Sequence, residues 1–596
     1  MPEYLSPGVY VEEYESGSVP MEGVGTSTAG FIGLAEKGAT VGKPEFLTSF
    51  SDYKRIFGGY LTESKYGEYR YLPSAVEHFF INGGAKCYVM RVAPSDAKEA
   101  VGKAPQILTF KAASVGEWGN RIKVTIMPTS KQKVPVYEVK GNECVVKNAE
   151  GFFVGDTVMF DEGRTKTYGK ITAIQENTIS FNVPVPASIV DQSLVPSKFI
   201  RSSELSVVIK CDDAKEEYSF VSLNPDSPDF IATRLSKSDL VRVEVSKPTA
   251  KPAPVKVEND KKQDKKSEGV ENAPAAPVAQ QNDAPFTMVG GVGESLLVTF
   301  ENGSDGSIAN INAGDFIGTD AGPSKRTGIQ AFIEVSDVSM MAVPGVTLPD
   351  VQLSLVAHCE NLKSRFAILD IPRNRKKVDE ILEYKDMFDS SYAAMYHPWL
   401  QVFDPVAKKN MYLPPSASMA GIYARCDLAI GVHKAPANEV VRACTGLEFN
   451  YNTGEQDRLN PAGVNLVRAF PGRGVRVWGA RTCSSNGNWK YVNVRRLFIY
   501  LEESIKANTN WVVFEPNTEA LWARVQRSIE LYLSSVWRSG ALAGTSPEQA
   551  FFVNIGRETM TQDDIDNGRL ICVIGVAPVK PAEFVIFKIG QYTASN

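Results

Sequence analysis

The sequence predicts a multi-domain protein of the α/β (α+β) class, with its core built from N- and C-terminal segments and β-rich domains inserted between them. Helical apolar spacing at 73–80 is followed by a buried strand pattern at 87–92, and the same alternation returns late in the chain. Between 101 and 246, short strand-like runs alternate with Gly, Asp and Asn turns. Residues 247–285 are rich in Pro, Lys and Ala and separate these regions.

Composition excludes several classes of protein. A chain of 596 residues with 43% hydrophobic and 22% charged residues has room for about three to five soluble domains. Its net charge of −5 argues against a general nucleic-acid binder. The eight Cys include no CxxC, as expected of reduced thiols. The N-terminus lacks the apolar core of a signal peptide, and no run approaches the ~18 apolar residues of a membrane span.

Residues 1–22 are predicted to form an extended arm. Pro7 and Gly8 signal a turn, and Val9, Tyr10 and Val11 follow as a short strand without a local partner. Such a segment is either a frayed terminus or a strand donated to the sheet of another subunit.

Residues 23–100 are predicted to be the first part of the α/β core. They open on a Gly-rich run, 23–33, which could suggest a phosphate-binding loop. No GK[ST] follows, so it is not a Walker A loop, and the GxSxG spacing is not met either. A nucleotide-binding enzyme built around this run therefore remains only an alternative.

The remaining boundaries follow changes in composition. Residues 101–246 are predicted to be β-rich inserted domains, 247–285 a disordered linker or exposed loop, and 286–350 the return of the inserted region. Residues 351–575 complete the core and form a C-terminal domain. There, apolar residues recurring every four positions predict a long helix; they are Leu521, Val525, Ile529, Leu533 and Trp537. Residues 576–596 are predicted to be a second arm, whose strand includes Phe584, Val585, Ile586 and Phe587.

The densest stretch is 459–497, which combines five Gly with two Trp and several Arg or Lys. It could be a binding loop, but we interpret it as the folding centre of a structural subunit. Trp478 and Trp489 are predicted to be packing anchors. The arginines predicted to organise ion pairs are Arg481, Arg495 and Arg496. Carboxylates close in sequence were expected as partners of the last two: Glu502, Glu503 and Glu515.

No catalytic set emerges from the sequence. The four His form no HExxH and no zinc-ligand spacing with Cys. Asp370, Asp404 and Asp427 end strand-like or turn segments, where capping or holding a turn is favoured over acid–base chemistry. The sequence therefore predicts a non-enzyme with no cofactor and no metal.

Several short motifs occur in order along the chain: YLSPGVYVEE (4–13), GEWGN (116–120), YHPW (396–399), AGIYARCD (420–427), LNPAGVN (459–465), VWGART (477–482), YVNVRR (491–496), VFEPN (513–517) and PAEF (581–584). Together they resemble the motifs of contractile tail sheath proteins of myovirus tails and phage-tail-like injection systems. The resemblance runs through most of the chain except about 135–200 and 245–290.

The resemblance implies a structural subunit that stacks as hexameric rings around an inner tube and contracts to drive that tube through a target envelope. The implied partners are further copies of the chain, the inner tube, the baseplate and a terminator or cap protein, without direct nucleic-acid contact or membrane insertion. Assembly is expected in the bacterial cytoplasm, as part of a phage tail or tail-like particle that is released by lysis or retained. A non-contracting ring or terminator related to the sheath is the alternative.

Overall fold

The computed structural model describes residues 21–104, 107–163, 165–191, 193, 196–246 and 295–586. The predicted arm residues Pro7, Gly8, Val9, Tyr10, Val11 and Phe587, and the segment 247–285, lie outside this range. The described chain forms two compact units. The core unit contains 21–35, 39–93 and 308–586, and the insert unit contains 36–38 and 94–307.

Helices and strands both contribute to the fold. The helices are α1 Phe50–Phe57, α2 Glu63–Tyr66, α3 Leu72–Ile81, α4 Ile231–Leu235, α5 Ala313–Ile317, α6 Pro349–Leu362, α7 Val378–Lys385, α8 Ser416–Ala429, α9 Thr453–Leu459, α10 Val492–Asn508, α11 Glu519–Arg538, α12 Pro547–Ala550 and α13 Gln562–Asp566. The strands of the core unit are β1 Ala29–Leu34, β2 Glu45–Leu47, β3 Cys87–Val92, β18 Met340–Ala342, β19 Phe366–Asp370, β20 Ala393–His397, β21 Leu400–Asp404, β22 Lys409–Leu413, β23 Gly446–Leu447, β24 Val464–Phe470, β25 Gly474–Val477, β26 Phe551–Ile555 and β27 Cys572–Val576.

An eight-stranded sheet forms the centre of the core unit, in the order β2-β3-β1-β18-β19-β20-β24-β25. The six inner strands are parallel, and the two edge strands run antiparallel to their neighbours. Strands β1, β3, β19 and β20 are buried along their whole length, as expected where helices cover both faces of a parallel sheet. Strand β1 pairs with β18, so N- and C-terminal segments build one sheet, and the predicted α/β class is confirmed.

The boundary of the core lies earlier than the sequence suggested. The segment 286–350 was assigned to the inserted region, whereas the structure places 308–350 in the core unit. Strand β18 explains the difference, because it has only three residues and yet lies between β1 and β19. So short a central strand leaves little periodic pattern in the sequence.

The insert unit is built almost entirely of strands: β4 Val101–Ala104, β5 Leu108–Ala112, β6 Lys123–Thr129, β7 Lys133–Val134, β8 Val136–Lys140, β9 Glu143–Val146, β10 Thr157–Asp161, β11 Lys166–Gln175, β12 Thr178–Phe181, β13 Phe199–Ser202, β14 Glu204–Cys211, β15 Ala214–Val221, β16 Val241–Val245 and β17 Leu296–Thr299. One sheet has seven strands, in the order β7-β13-β10-β11-β12-β9-β8, and encloses its own hydrophobic core. A four-stranded and a three-stranded sheet share a second core.

The C-terminal part of the core unit contains α10, α11, the short helices α12 and α13, and the two-stranded sheet β26–β27. Thr518 caps α11, and its buried stripe contains four of the five predicted residues, while Trp537 is half-buried. No helix in the described part of the chain is long and apolar enough to cross a membrane.

Candidate functional site: the anchors of the two chain ends

Helix α10 is the element to which both described ends of the chain are attached. Val492 and Ile499 belong to the hydrophobic cluster of the eight-stranded sheet. Leu497 and Leu501 belong to the cluster beneath α11. Because α10 packs into two cores at once, it is a firm base for whatever its polar side chains hold.

The N-terminal segment runs along α10, held by hydrogen bonds to its backbone. Asn508 binds Glu22 twice, with its Nδ2 donating to the Glu22 carbonyl at 2.8 Å and its Oδ1 accepting from the Glu22 N–H at 3.3 Å. The Val24 N–H donates to Ser504 Oγ at 3.0 Å. A Cβ on Gly23 would lie 2.0 Å from the Tyr500 hydroxyl, so glycine lets the segment approach the helix this closely.

A buried ion pair completes the N-terminal anchor. The Arg496 guanidinium lies 2.6 Å from Asp427 Oδ2 and 2.9 Å from Oδ1, and both side chains are less than 5% exposed. Thr26 is bound by both partners, since its hydroxyl donates to Asp427 at 2.7 Å and its carbonyl accepts from Arg496 at 2.9 Å. Burial opposes the charge of Arg496, but Asp427 outweighs it and raises the pKa of the guanidinium.

The C-terminal anchor is centred on Glu583. Arg481 donates two hydrogen bonds to its carboxylate, from Nε at 2.7 Å and from Nη2 at 2.8 Å. Asn460 Nδ2 donates at 2.7 Å, the Tyr491 hydroxyl donates at 2.9 Å, and Lys490 Nζ lies 3.5 Å away. Burial alone would raise the pKa of Glu583, but the hydrogen bonds from Arg481, Asn460 and Tyr491 lower it to about 2.

The segment before Glu583 is also attached to α10. Asn493 Nδ2 donates to the Val579 carbonyl at 3.3 Å. Directly after Glu583, the side chains become exposed: Phe584 is 70%, Val585 69% and Ile586 79% accessible. The predicted strand is not formed over these three residues, which belong to neither helix nor strand. A strand requires a hydrogen-bonded neighbour, and no segment in the described part of this chain provides one there.

Three residues of the 459–497 stretch, Trp478, Trp489 and Arg495, make contacts with aromatic rings. Trp478 packs on Phe470, with ring centroids 4.6 Å apart. Trp489 lies under the Arg495 guanidinium, 3.4 Å from it, and meets the edge of Phe498. Burial lowers the pKa of Arg495.

Glu502, expected from sequence proximity, interacts electrostatically with Arg495, but the close ion pair of Arg496 is made with a distant carboxylate. Arg496 pairs with Asp427, 69 positions away, and Arg495 donates to Ser391 Oγ at 3.1 Å. Of the three arginines, Arg481 and Arg496 therefore make close ion pairs, while Arg495 stacks on an indole. Glu583 went unnoticed as a partner, although it lies within the PAEF motif.

The aspartates considered as candidates for acid–base chemistry have structural roles. Asp370 accepts from the Ser416 N–H, the Ser416 hydroxyl and the Gly345 N–H, and so caps α8, while burial raises its pKa to about 6. Asp404 accepts two backbone N–H groups in a turn. Within the described ranges, no three His, Cys, Asp or Glu side chains are arranged to hold a metal ion.

Packing accounts for three of the four glycines in the run 23–33, Gly23 against Tyr500 and two more in β1. A Cβ on Gly30 would lie 2.6 Å from the Phe332 ring, and one on Gly33 would lie 3.0 Å from Leu72. Both glycines belong to the buried strand β1, so their role is close approach of neighbouring elements.

Models of known protein families match the second half of the chain. The family described as "Phage tail sheath protein central domain" matches residues 320–483, and "Phage tail sheath C-terminal domain" matches 484–591. A putative prophage major tail sheath protein of Pseudomonas aeruginosa (strain UCBPP-PA14) is 25% identical over 285 residues, covering 46% of this chain and 71% of that protein.

Solved structures extend the comparison. A chain of the anti-feeding prophage baseplate is 37% identical, covers 44% of this chain and 71% of its own, and has a TM-score of 0.40. The contracted sheath of the extracellular contractile injection system PVC is similar in fold over 99% of each chain, with 21% identity and a TM-score of 0.51. The two family models and the tail sheath relative define the chain as a structural protein of contractile tails and tail-like particles. Within that class, the chain belongs to the phage tail sheath family.

Proposed function

We propose that this chain is the repeating subunit of a contractile sheath, which polymerises as stacked hexameric rings around an inner tube and contracts to drive the tube through a target envelope. The observation that carries the proposal is that both described chain ends are fixed at or beside α10. Thr26 is held by Asp427–Arg496, and Glu583 is held by Arg481 while Asn493 of α10 binds Val579. Segments leaving a rigid body from fixed points suit links between subunits.

The proposed link is strand addition. Beyond Glu583 the apolar run Phe584–Ile586 is exposed, and a donated strand would pair its backbone and bury its side chains on another copy. The sheet β26–β27 is a suitable acceptor, because it has only two strands within the described chain and both of its outer edges lack a strand neighbour there. The arm 1–22 would add a second strand in the same way.

Contraction would then be a change between two arrangements of near-rigid bodies. The extended sheath would be kinetically trapped, with energy stored at assembly. The arms would stay paired while contacts between bodies change, because the anchors fix only the start of each arm. The further partners proposed are the inner tube, the baseplate and a terminator. The similarity in fold to a contracted sheath of an injection system supports this setting. The proposed site of assembly is the bacterial cytoplasm, in a phage tail or phage-tail-like particle released by lysis or retained.

Electron microscopy of the purified chain tests the proposal. We expect the full chain to form tubes of the contracted type, and a variant lacking residues 1–20 to remain folded but unable to form them. A variant lacking 247–285 is the control, since this polar segment is expected to be dispensable. Normal tubes without residues 1–20 would refute the arm mechanism, and isolated rings from the full chain would favour the non-contracting alternative.

A further inference from the structure

Phe514 is the most exposed large apolar residue in the described chain, at 102% of its reference accessibility. Its backbone is left-handed, with φ of +69°. A bulky side chain is strained in that region and persists there only where its surroundings hold it. No residue in the described part of the chain buries its ring.

The loop that carries Phe514 is held on both sides. Before it, Trp511 stacks under the Arg524 guanidinium at 4.6 Å. After it, Asn517 accepts from the Trp522 indole at 2.6 Å and donates to the Arg569 carbonyl at 3.0 Å. The ring is therefore presented on a fixed loop and loses little freedom when a partner covers it.

The hydrogen bond from Asn517 to the Arg569 carbonyl connects this loop to the residues just before β27. One face of the sheet β26–β27 is uncovered and largely apolar: Phe552 is 53%, Val573 45% and Ile571 37% exposed, with Asn554 opposite Val573. The Phe552 ring lies across Gly575 on the same face, where any Cβ would meet the ring at 2.2 Å. The exposed phenyl ring thus belongs to the same part of the molecule as an uncovered apolar sheet face.

We propose that Phe514 is a preformed anchor for a second copy of this chain, and that it contacts the apolar run Phe584–Ile586 donated by that copy. This inference rests on the proposed function. It adds that Phe514 is the side chain that positions the donated C-terminal arm. Within the described residues of one copy the run is 69–79% exposed and Phe514 fully exposed, so the two do not bury each other there, and we assign the contact to the run of a second copy. A rigid aromatic side chain in a desolvated contact is the typical energetic centre of an interface.

Polymerisation of the purified full chain, without any tube protein, measures the contact. Phe514→Ala should raise the critical concentration for sedimentable polymer about ten- to hundredfold, the value of burying one phenyl ring. Its thermal unfolding should match that of the wild type, because the ring is exposed in the free chain. Phe403→Ala, which removes a ring that is 57% exposed on β21, is the matched control and should leave the critical concentration unchanged.

Phe514→Gly separates strain from contact, since glycine accepts a positive φ. It should lose the same polymerisation while making the monomer no less stable. Val585→Ala should weaken polymerisation as well, and the double variant Phe514→Ala/Val585→Ala should be less affected than the product of the two single effects.

Each outcome decides between the two proposals. A wild-type chain that forms no polymer would refute the proposed function itself. Wild-type polymerisation with an unaffected Phe514→Ala variant would refute only the anchor. Independent effects of the two substitutions would show that Phe514 does not contact this run, and a defect confined to assembly on an inner tube would assign Phe514 to the tube instead.

Discussion

Glu583→Gln removes the charge at the centre of the C-terminal anchor while keeping the size of the side chain. Arg481 is 8% and Glu583 19% exposed, so the pair is screened less than a surface ion pair but more than a fully buried one. The pKa of Glu583 falls from 4.5 to about 2. At about 1.36 kcal/mol per pKa unit this corresponds to at most ~3 kcal/mol, which partial exposure reduces to about 1–2 kcal/mol.

The substitution should therefore favour opening of the C-terminal segment by about five- to thirtyfold. Hydrogen exchange of residues 579–586 measures this opening directly. Protection there should fall by that factor at pH 7, while the amides of α10 keep theirs. Glu558→Gln, at an exposed position of the same unit, is the control and should change neither.

The pH dependence has a definite sign. Because folding lowers the pKa of Glu583, its stabilising contribution is complete above about pH 4.5 and is lost as the pH falls towards about 2. In the wild type, protection of the segment, corrected for intrinsic exchange, should fall across this window, and in Glu583→Gln this part of the pH dependence should be absent. Unchanged protection in the variant at pH 7 would refute the anchor.

Two further substitutions test the N-terminal anchor through the free energy of unfolding in urea. Gly23→Ala places a methyl group against Tyr500 and should lower the free energy of unfolding by about 1–3 kcal/mol. The double variant Gly23→Ala/Tyr500→Phe should recover part of this loss. An unaltered free energy of unfolding in Gly23→Ala would mean that the segment does not pack on α10. Asp427→Asn leaves Arg496 buried without a carboxylate and should lower the free energy of unfolding by about 3–5 kcal/mol. The control Asp563→Asn, at an exposed position, should lower it by less than about 0.5 kcal/mol. Equal effects of the two substitutions would show that the buried ion pair does not stabilise the fold.

The sheet was predictable because its signal is local. Runs such as Cys87–Val92 and Phe366–Asp370 are apolar along their whole length, which is what burial on both faces demands. Strand Met340–Ala342 was missed as part of the core, because three residues show no period and only its neighbours define its place.

For the two anchors, the sequence predicted the arginines but not their partners. Arg481 and Arg496 could be singled out by residue type, but their partners lie 102 and 69 positions away and come together only in the folded chain. Nearby Glu502 and Glu503 looked equally suitable in sequence. The run Phe584–Ile586 presents the opposite case, because its pattern is that of a strand and the pairing it requires is absent from the described single chain.

The two anchors differ in a way that bears on contraction. Asp427–Arg496 is almost fully enclosed, whereas Glu583 keeps a fifth of its side chain in solvent and is followed at once by exposed residues. If the core units of neighbouring subunits rotate while the arms stay paired, the chain must bend just beyond each anchor, because α10 is fixed in two hydrophobic cores. Force on the N-terminal arm would then reach α10 through Arg496, and force on the C-terminal arm would reach Arg481 and, through Val579 and Asn493, the start of α10. Under the proposed function, Glu583→Gln should therefore impair force transmission through the C-terminal arm more than folding of the subunit.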